Sequence, residues 1–134
     1  MKIVLDTNIL LSSIFGSGAP CRLVQEALNK NFDIITSKSI LNEVRKVLQD
    51  PEEKFQLSEQ ETDDIIAGIL IFAKVVPLKT EIAMVRDPKD NHVISCAIDG
   101  QAEYIITRDK DLLSLISYKE IKIILPEEFL KLKI

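Results

Sequence analysis

The chain of 134 residues has one histidine, two cysteines and seven aromatic residues, five Phe and two Tyr. No apolar run in it approaches the roughly 20 residues that a membrane-spanning helix needs. Each scarcity removes a class of chemistry. His92 stands alone in a helical pattern, so no histidine pair is available for acid–base catalysis. Cys21 and Cys96 are far apart, have no CxxC neighbour and fall at helical spacing, which marks them as reduced packing thiols rather than a disulfide or metal pair. The aromatics lie mostly within apolar patterns, leaving little sign of a platform on which nucleobases stack. The N-terminus lacks the order of a signal peptide, so the expected location is the cytoplasm, with no membrane partner.

What is present suits one globular domain over 1–134: 46% hydrophobic and 28% charged residues, with no repeat, linker or low-complexity segment. The net charge of −4 argues against a nucleic-acid partner until its location is considered. Seven acids and Lys54 give a local net of −6 between Asp50 and Asp64, while the remainder carries 16 bases against 14 acids. The acidic run reads as a solvated face.

Strand and helix patterns alternate along the chain. Ile3-Val4-Leu5, Phe32 to Thr36, Val75 to Leu78, Tyr104 to Thr107 and Ile121 to Leu125 are predicted strands, with Pro77 placing the third at an edge. Helices are expected around Ile9–Phe15, after Pro20, after Ser37 or Ser39, after the Ser58/Glu61 capping box, from Pro88 to Gly100, and from Pro126. That alternation predicts an α/β fold, a mainly parallel sheet covered on both faces.

In such a sheet ligands bind at the carboxyl ends of the strands, where Asp6 and Asp109 both follow apolar runs. Two further acids have reason to face inward. Glu43 lies roughly 40° outside the apolar stripe of its helix, and Asp90 shares a face with Val93 and Ile94. Each also has a structural reading: Glu43 as a rim residue, Asp90 as part of a cap led by Asp87, Asp109 or Asp111 as turn aspartates, and Asn8 and Thr107 as helix caps. Four converging carboxylates repel by about 4 kcal/mol per pair at 4 Å and an effective dielectric of 20, so they require cations or shared protons. All-oxygen ligands point to Mg²⁺ or Mn²⁺. Lys38, Arg45, Arg86, Arg108 and Lys110 flank the later acids and could balance an anionic backbone.

Val4-Leu5-Asp6-Thr7-Asn8, Ser39-Ile40-Leu41-Asn42-Glu43-Val44, Arg86-Asp87-Pro88-Lys89-Asp90-Asn91 and Tyr104 through Leu112, in that order, resemble the PIN-domain ribonucleases. The resemblance is closest to the small VapC-like proteins classed as toxins of toxin–antitoxin pairs. It implies a three-layer α/β/α sandwich of about five strands in the order 3-2-1-4-5, and RNA hydrolysis by an acidic quartet of Asp6, Glu43, Asp90 and Asp109 holding Mg²⁺ or Mn²⁺. It also implies a homodimer and an antitoxin protein; Asp87 and Asp111 are the alternatives for the third and fourth acids, with Asp90 and Asp109 preferred on facing and position, and Asn8 and Thr107 are each also placed to hydrogen-bond a neighbouring carboxylate. Two rivals are a catalytically silent PIN-like binding module and a phosphoryl-transfer α/β protein. The second would need another acid beside Asp6, where Leu5 and Asn8 stand.

Overall fold

The structure, a computed structural model, describes residues 1–77, 79 and 88–132, with 88–90 as backbone alone. Three apolar residues in a row at the start form β1, Lys2–Leu5. Ile3, Val4 and Leu5 are fully buried although successive side chains of a strand point to opposite faces, so both faces of the sheet are covered. α1 (Thr7–Phe15), α2 (Ala19–Leu28), β2 (Asp33–Thr36), α3 (Lys38–Gln49) and α4 (Glu59–Phe72) follow. Ser37 caps α3 and the Ser58/Glu61 box caps α4.

β3 (Ala73–Val75) follows α4 without a loop, two residues earlier than the expected strand at Val75 to Leu78. Ala73 extends the apolar pattern of the helix before it, so the sequence offers no boundary there. Leu78 lies outside the described residues. α5 (Pro88–Asp99), β4 (Tyr104–Ile106), α6 (Lys110–Leu115), β5 (Ser117–Tyr118), β6 (Ile121–Ile124) and α7 (Pro126–Leu130) complete the chain.

The sheet order is β3-β2-β1-β4-β6-β5. Its first five members are parallel neighbours in the expected 3-2-1-4-5 arrangement, with Val4 between Ile35 of β2 and Ile105 of β4. The sixth strand is a correction to the expected count: β5 pairs antiparallel with β6 in a short hairpin. Two residues are too few to carry a period, and the turn uses Lys119 at φ 50 where glycine would have signalled it. Phe129 of α7 closes the other end of the core, edge-on to Phe32 and Tyr104 at 5.1 and 5.2 Å between ring centres.

Two helices stop with the same device, and neither uses glycine for it. At the end of α2 the Asn31 N–H bonds the Glu26 carbonyl and Lys30 takes φ 67; at the end of α5 the Ala102 N–H bonds the Ala97 carbonyl and Gln101 takes φ 57. Gly100 precedes the left-handed residue and is required for space. A methyl group on it would lie 2.2 Å from Ile35 Cδ1 and 2.9 Å from the Cys96 carbonyl oxygen. Gly100→Ala is therefore expected to cost about 1–3 kcal/mol by overpacking. Gln101→Gly should gain about 1 kcal/mol or less from relief of the left-handed conformation, offset by unfolded-state entropy. Urea unfolding of the two variants checks both signs.

Candidate active site

β1 and β4 are adjacent and parallel, with Leu5 opposite Ile106, so the residues that follow them emerge side by side. The Asp6 N–H donates to the Ile106 carbonyl at 3.2 Å; α1 starts with only Asp6 between it and β1, and α6 starts after Thr107, Arg108 and Asp109. The caps of those helices are the two acids themselves. Asp6 Oδ1 accepts the Ile9 N–H at 2.9 Å at the head of α1, and Asp109 Oδ2 accepts the Leu112 N–H at 3.0 Å at the head of α6. This corrects the reading of Asn8 and Thr107 as caps. Asn8 is exposed at the second position of α1, and Thr107 is fully buried between the acids.

Thr107 links the Asp6 carboxylate to the backbone of Asp109. Its hydroxyl donates to Asp6 Oδ2, and its oxygen accepts the Asp109 N–H at 2.9 Å. Asp6 is only 6% exposed. Burial pushes its carboxyl above the usual value, the bonds from Thr107 and Ile9 oppose the shift, and the negative charge of Asp109 adds to it. Both acids line a cleft of about 380 Å³ together with Asn8, Arg108, Lys110 and Asp111.

The other expected site residues are placed differently. Glu43 is half-buried on α3, next to fully buried Val44, and does not line this cleft. Asp90 is on the first turn of α5, where the structure describes backbone alone, and Arg86 and Asp87 lie outside the described residues. Arg45 turns to α4, bridging Asp63 at 2.8 Å and Glu59 at 3.3 Å. Arg108 lines the cleft while making a two-pronged ion pair with Glu127 at 2.7 and 2.8 Å, which holds the Glu127 carboxyl below its usual value. Lys38 is exposed at the start of α3. Cys96 is a buried thiol pushed up to about 12 by desolvation, and both cysteines are free.

Among the described residues no three His, Cys, Asp or Glu side chains are grouped to hold a metal ion. The pair at the strand ends still suits a small hard cation. Mg²⁺ commonly takes one or two carboxylates and fills its remaining positions with water and phosphate oxygens. The hydrogen bonds to Asp6 and Asp109 also fix the orientation that such ligands need.

One feature beside the cleft escaped the sequence reading. A second cavity of about 500 Å³ shares Asn8 with the first and is lined by Phe15 and Phe55. Phe15 reads in sequence as one more apolar helix residue, and Phe55 sits inside the acidic run.

Among the described residues no helix is long and apolar enough to cross a membrane. No curated protein matches the chain. Among solved structures, the chain is similar to one in the crystal structure of VapBC2 from Rickettsia felis bound to a DNA fragment from their promoter. The TM-score is 0.67 at 15% identity, over 92% of this chain and 97% of the other, which is a likeness of fold. The family model for the PIN domain matches residues 2–111, a span that contains both strand-end acids, and the chain belongs to the PIN-domain family.

Proposed function

We propose that the cleft at Asp6 and Asp109 hydrolyses RNA phosphodiester bonds with Mg²⁺ or Mn²⁺. The observation that carries this reading is a pair of carboxylates at the ends of neighbouring parallel strands: Asp6, buried and bonded to the Thr107 hydroxyl, and half-buried Asp109, whose backbone N–H donates to the same hydroxyl. Membership of the PIN-domain family supports it. Two acids kept close at a cost in repulsion and desolvation suit a cation that offsets both.

Asp6 and Asp109 would hold the metal, with Asp90 and Glu43 as the remaining acids of the quartet. The bound metal supplies an activated water and stabilises the leaving oxygen. The chain's own residues do the positioning. Thr107 orients the Asp6 carboxylate and fixes the backbone of Asp109, Asn8 and Asp111 present polar groups at the mouth, and Lys110 faces the backbone phosphate from the cleft wall. Lys38, Arg45, Arg86, Arg108 and Asp87 take supporting parts around the strand. For Arg45 and Arg108, binding RNA competes with their ion pairs to Asp63, Glu59 and Glu127.

In this reading the protein is a cytoplasmic toxin, a homodimer held in check by an antitoxin. The fold shared with a chain of the VapBC2 structure supports that reading. The test is cleavage of a panel of RNAs and single-stranded DNAs with Mg²⁺, with Mn²⁺ and with EDTA. RNA cleavage that stops in EDTA is expected. Undiminished cleavage in EDTA would overturn the metal-dependent mechanism, and no cleavage with either metal would leave a binding module instead.

A further inference from the structure

Resting on the ribonuclease reading above, we infer that Phe15 and Phe55 form the stacking subsite for one unpaired base of the RNA, next to the phosphate bound at Asp6 and Asp109. Phe32, Tyr104 and Phe129 pack against one another in the core, whereas Phe15 leaves 45% of its surface exposed and meets Phe55 at 4.7 Å between ring centres, tilted by 39°. Their cavity and the acidic cleft share one lining residue, Asn8. The nine-residue helix α1 carries Asp6 at its head and Phe15 at its end, about 13 Å apart along the axis, so one short strand of RNA reaches both.

The loop that presents Phe55 is held in place. The Leu57 N–H bonds the Leu48 carbonyl at 2.7 Å, Asp50 Oδ1 accepts the Glu52 N–H at 2.9 Å, and Gln56, at φ 47, donates its side-chain amide to the Glu53 carbonyl at 3.1 Å. Lys54 Nζ stands 5.1 Å from the Phe55 ring centre, a cation suited to the phosphate that flanks a stacked base. Glu53 lines the same cavity. A carboxylate there repels a phosphate but accepts from the exocyclic amine of a base, so the aromatic ring of the nucleotide is the part that fits.

Short single-stranded RNAs carrying 2-aminopurine at successive positions, mixed with the protein in Mg²⁺, test this by fluorescence, together with cleavage kinetics on RNAs with a single abasic site. The expected result is quenching at one position with wild type and with Phe55→Tyr, lost in Phe55→Ala and in Phe55→Leu, which keeps apolar bulk without the ring. KM should rise about 5- to 100-fold in Phe55→Ala with kcat little changed, and an abasic nucleotide at the quenched position should raise KM in wild type but not in that variant. Melting temperatures establish that all variants are folded. Quenching that persists in Phe55→Ala, or equal sensitivity of wild type and variant to the abasic site, would overturn the inference. So would unchanged RNA binding with lost affinity for a basic peptide, which would make the aromatic pair a protein contact. Position-specific quenching without any cleavage would support the stacking subsite while removing the ribonuclease reading.

Discussion

Asp6→Asn is expected to abolish RNA cleavage and, in EDTA, to melt at a higher temperature than the wild type. Asn keeps an oxygen for the Ile9 N–H and is as good an N-cap as Asp, so the head of α1 is retained. At Oδ2 it exchanges the acceptor of the Thr107 hydroxyl for an amide N–H that can donate to the same oxygen, and what it removes is the charge of a carboxylate buried at 6% exposure beside Asp109. A carboxyl raised in the folded state stabilises below its ordinary value of 3.8, and that contribution is lost as pH rises through the folded-state value. Ionising Asp6 is therefore a cost to the metal-free fold. Metal reverses the balance in the wild type, by about 2.7 kcal/mol at one hundred times the dissociation constant, and should do much less for the variant. The loss of rate should exceed about a hundredfold, since changes to groups that merely orient metal ligands already reach that range. Differential scanning of both proteins with EDTA and with Mn²⁺ checks the stability half. A variant less stable than wild type in EDTA, with an equal metal response, would make Asp6 a structural cap.

Thr107→Val is expected to destabilise the protein by about 2–4 kcal/mol and to lower activity, while Thr107→Ser restores most of both. The hydroxyl is fully buried and is used twice, donating to Asp6 and accepting from the Asp109 N–H. Valine fits the same space but leaves two polar groups without partners, each worth about 1–3 kcal/mol. Serine keeps both bonds and loses one methyl group. Urea unfolding with a metal titration separates this from a simple packing defect: the Val variant should also bind Mn²⁺ more weakly. Equal losses in Ser and Val would mean that packing, not the polar link, holds the two acids together.

The positions of Asp6 and Asp109 were legible because an apolar run that gives way to polar residues marks a strand's end: Asp6 follows β1 directly, and Asp109 follows β4 after Thr107 and Arg108. Their use as helix caps was less legible, since Asn8 and Thr107 are equally good capping residues and only the backbone decides between them. The five parallel strands follow from the alternation of periods, but β5 carries too few residues to show one, and β3 hides its start in the apolar end of α4. Long-range pairing was beyond reach. Arg45 meets acids 14 and 18 residues away, and Arg108 meets one 19 residues away, so neither pairing shows as a local pattern. Phe55 was concealed in the same way, as an apolar loop residue among acids whose neighbour Phe15 arrives from α1.

The most direct measurement is the rate of hydrolysis of one labelled single-stranded RNA as Mn²⁺ is titrated, for wild type and Asp109→Asn side by side. If Asp6 and Asp109 hold the metal together, wild type starts from no cleavage in EDTA and saturates with Mn²⁺. Asp109→Asn, still capped at α6, should then cleave at least about a hundredfold more slowly at the same Mn²⁺ concentration. Matching rates for the two proteins across the titration, or wild-type cleavage that ignores EDTA, would contradict the account.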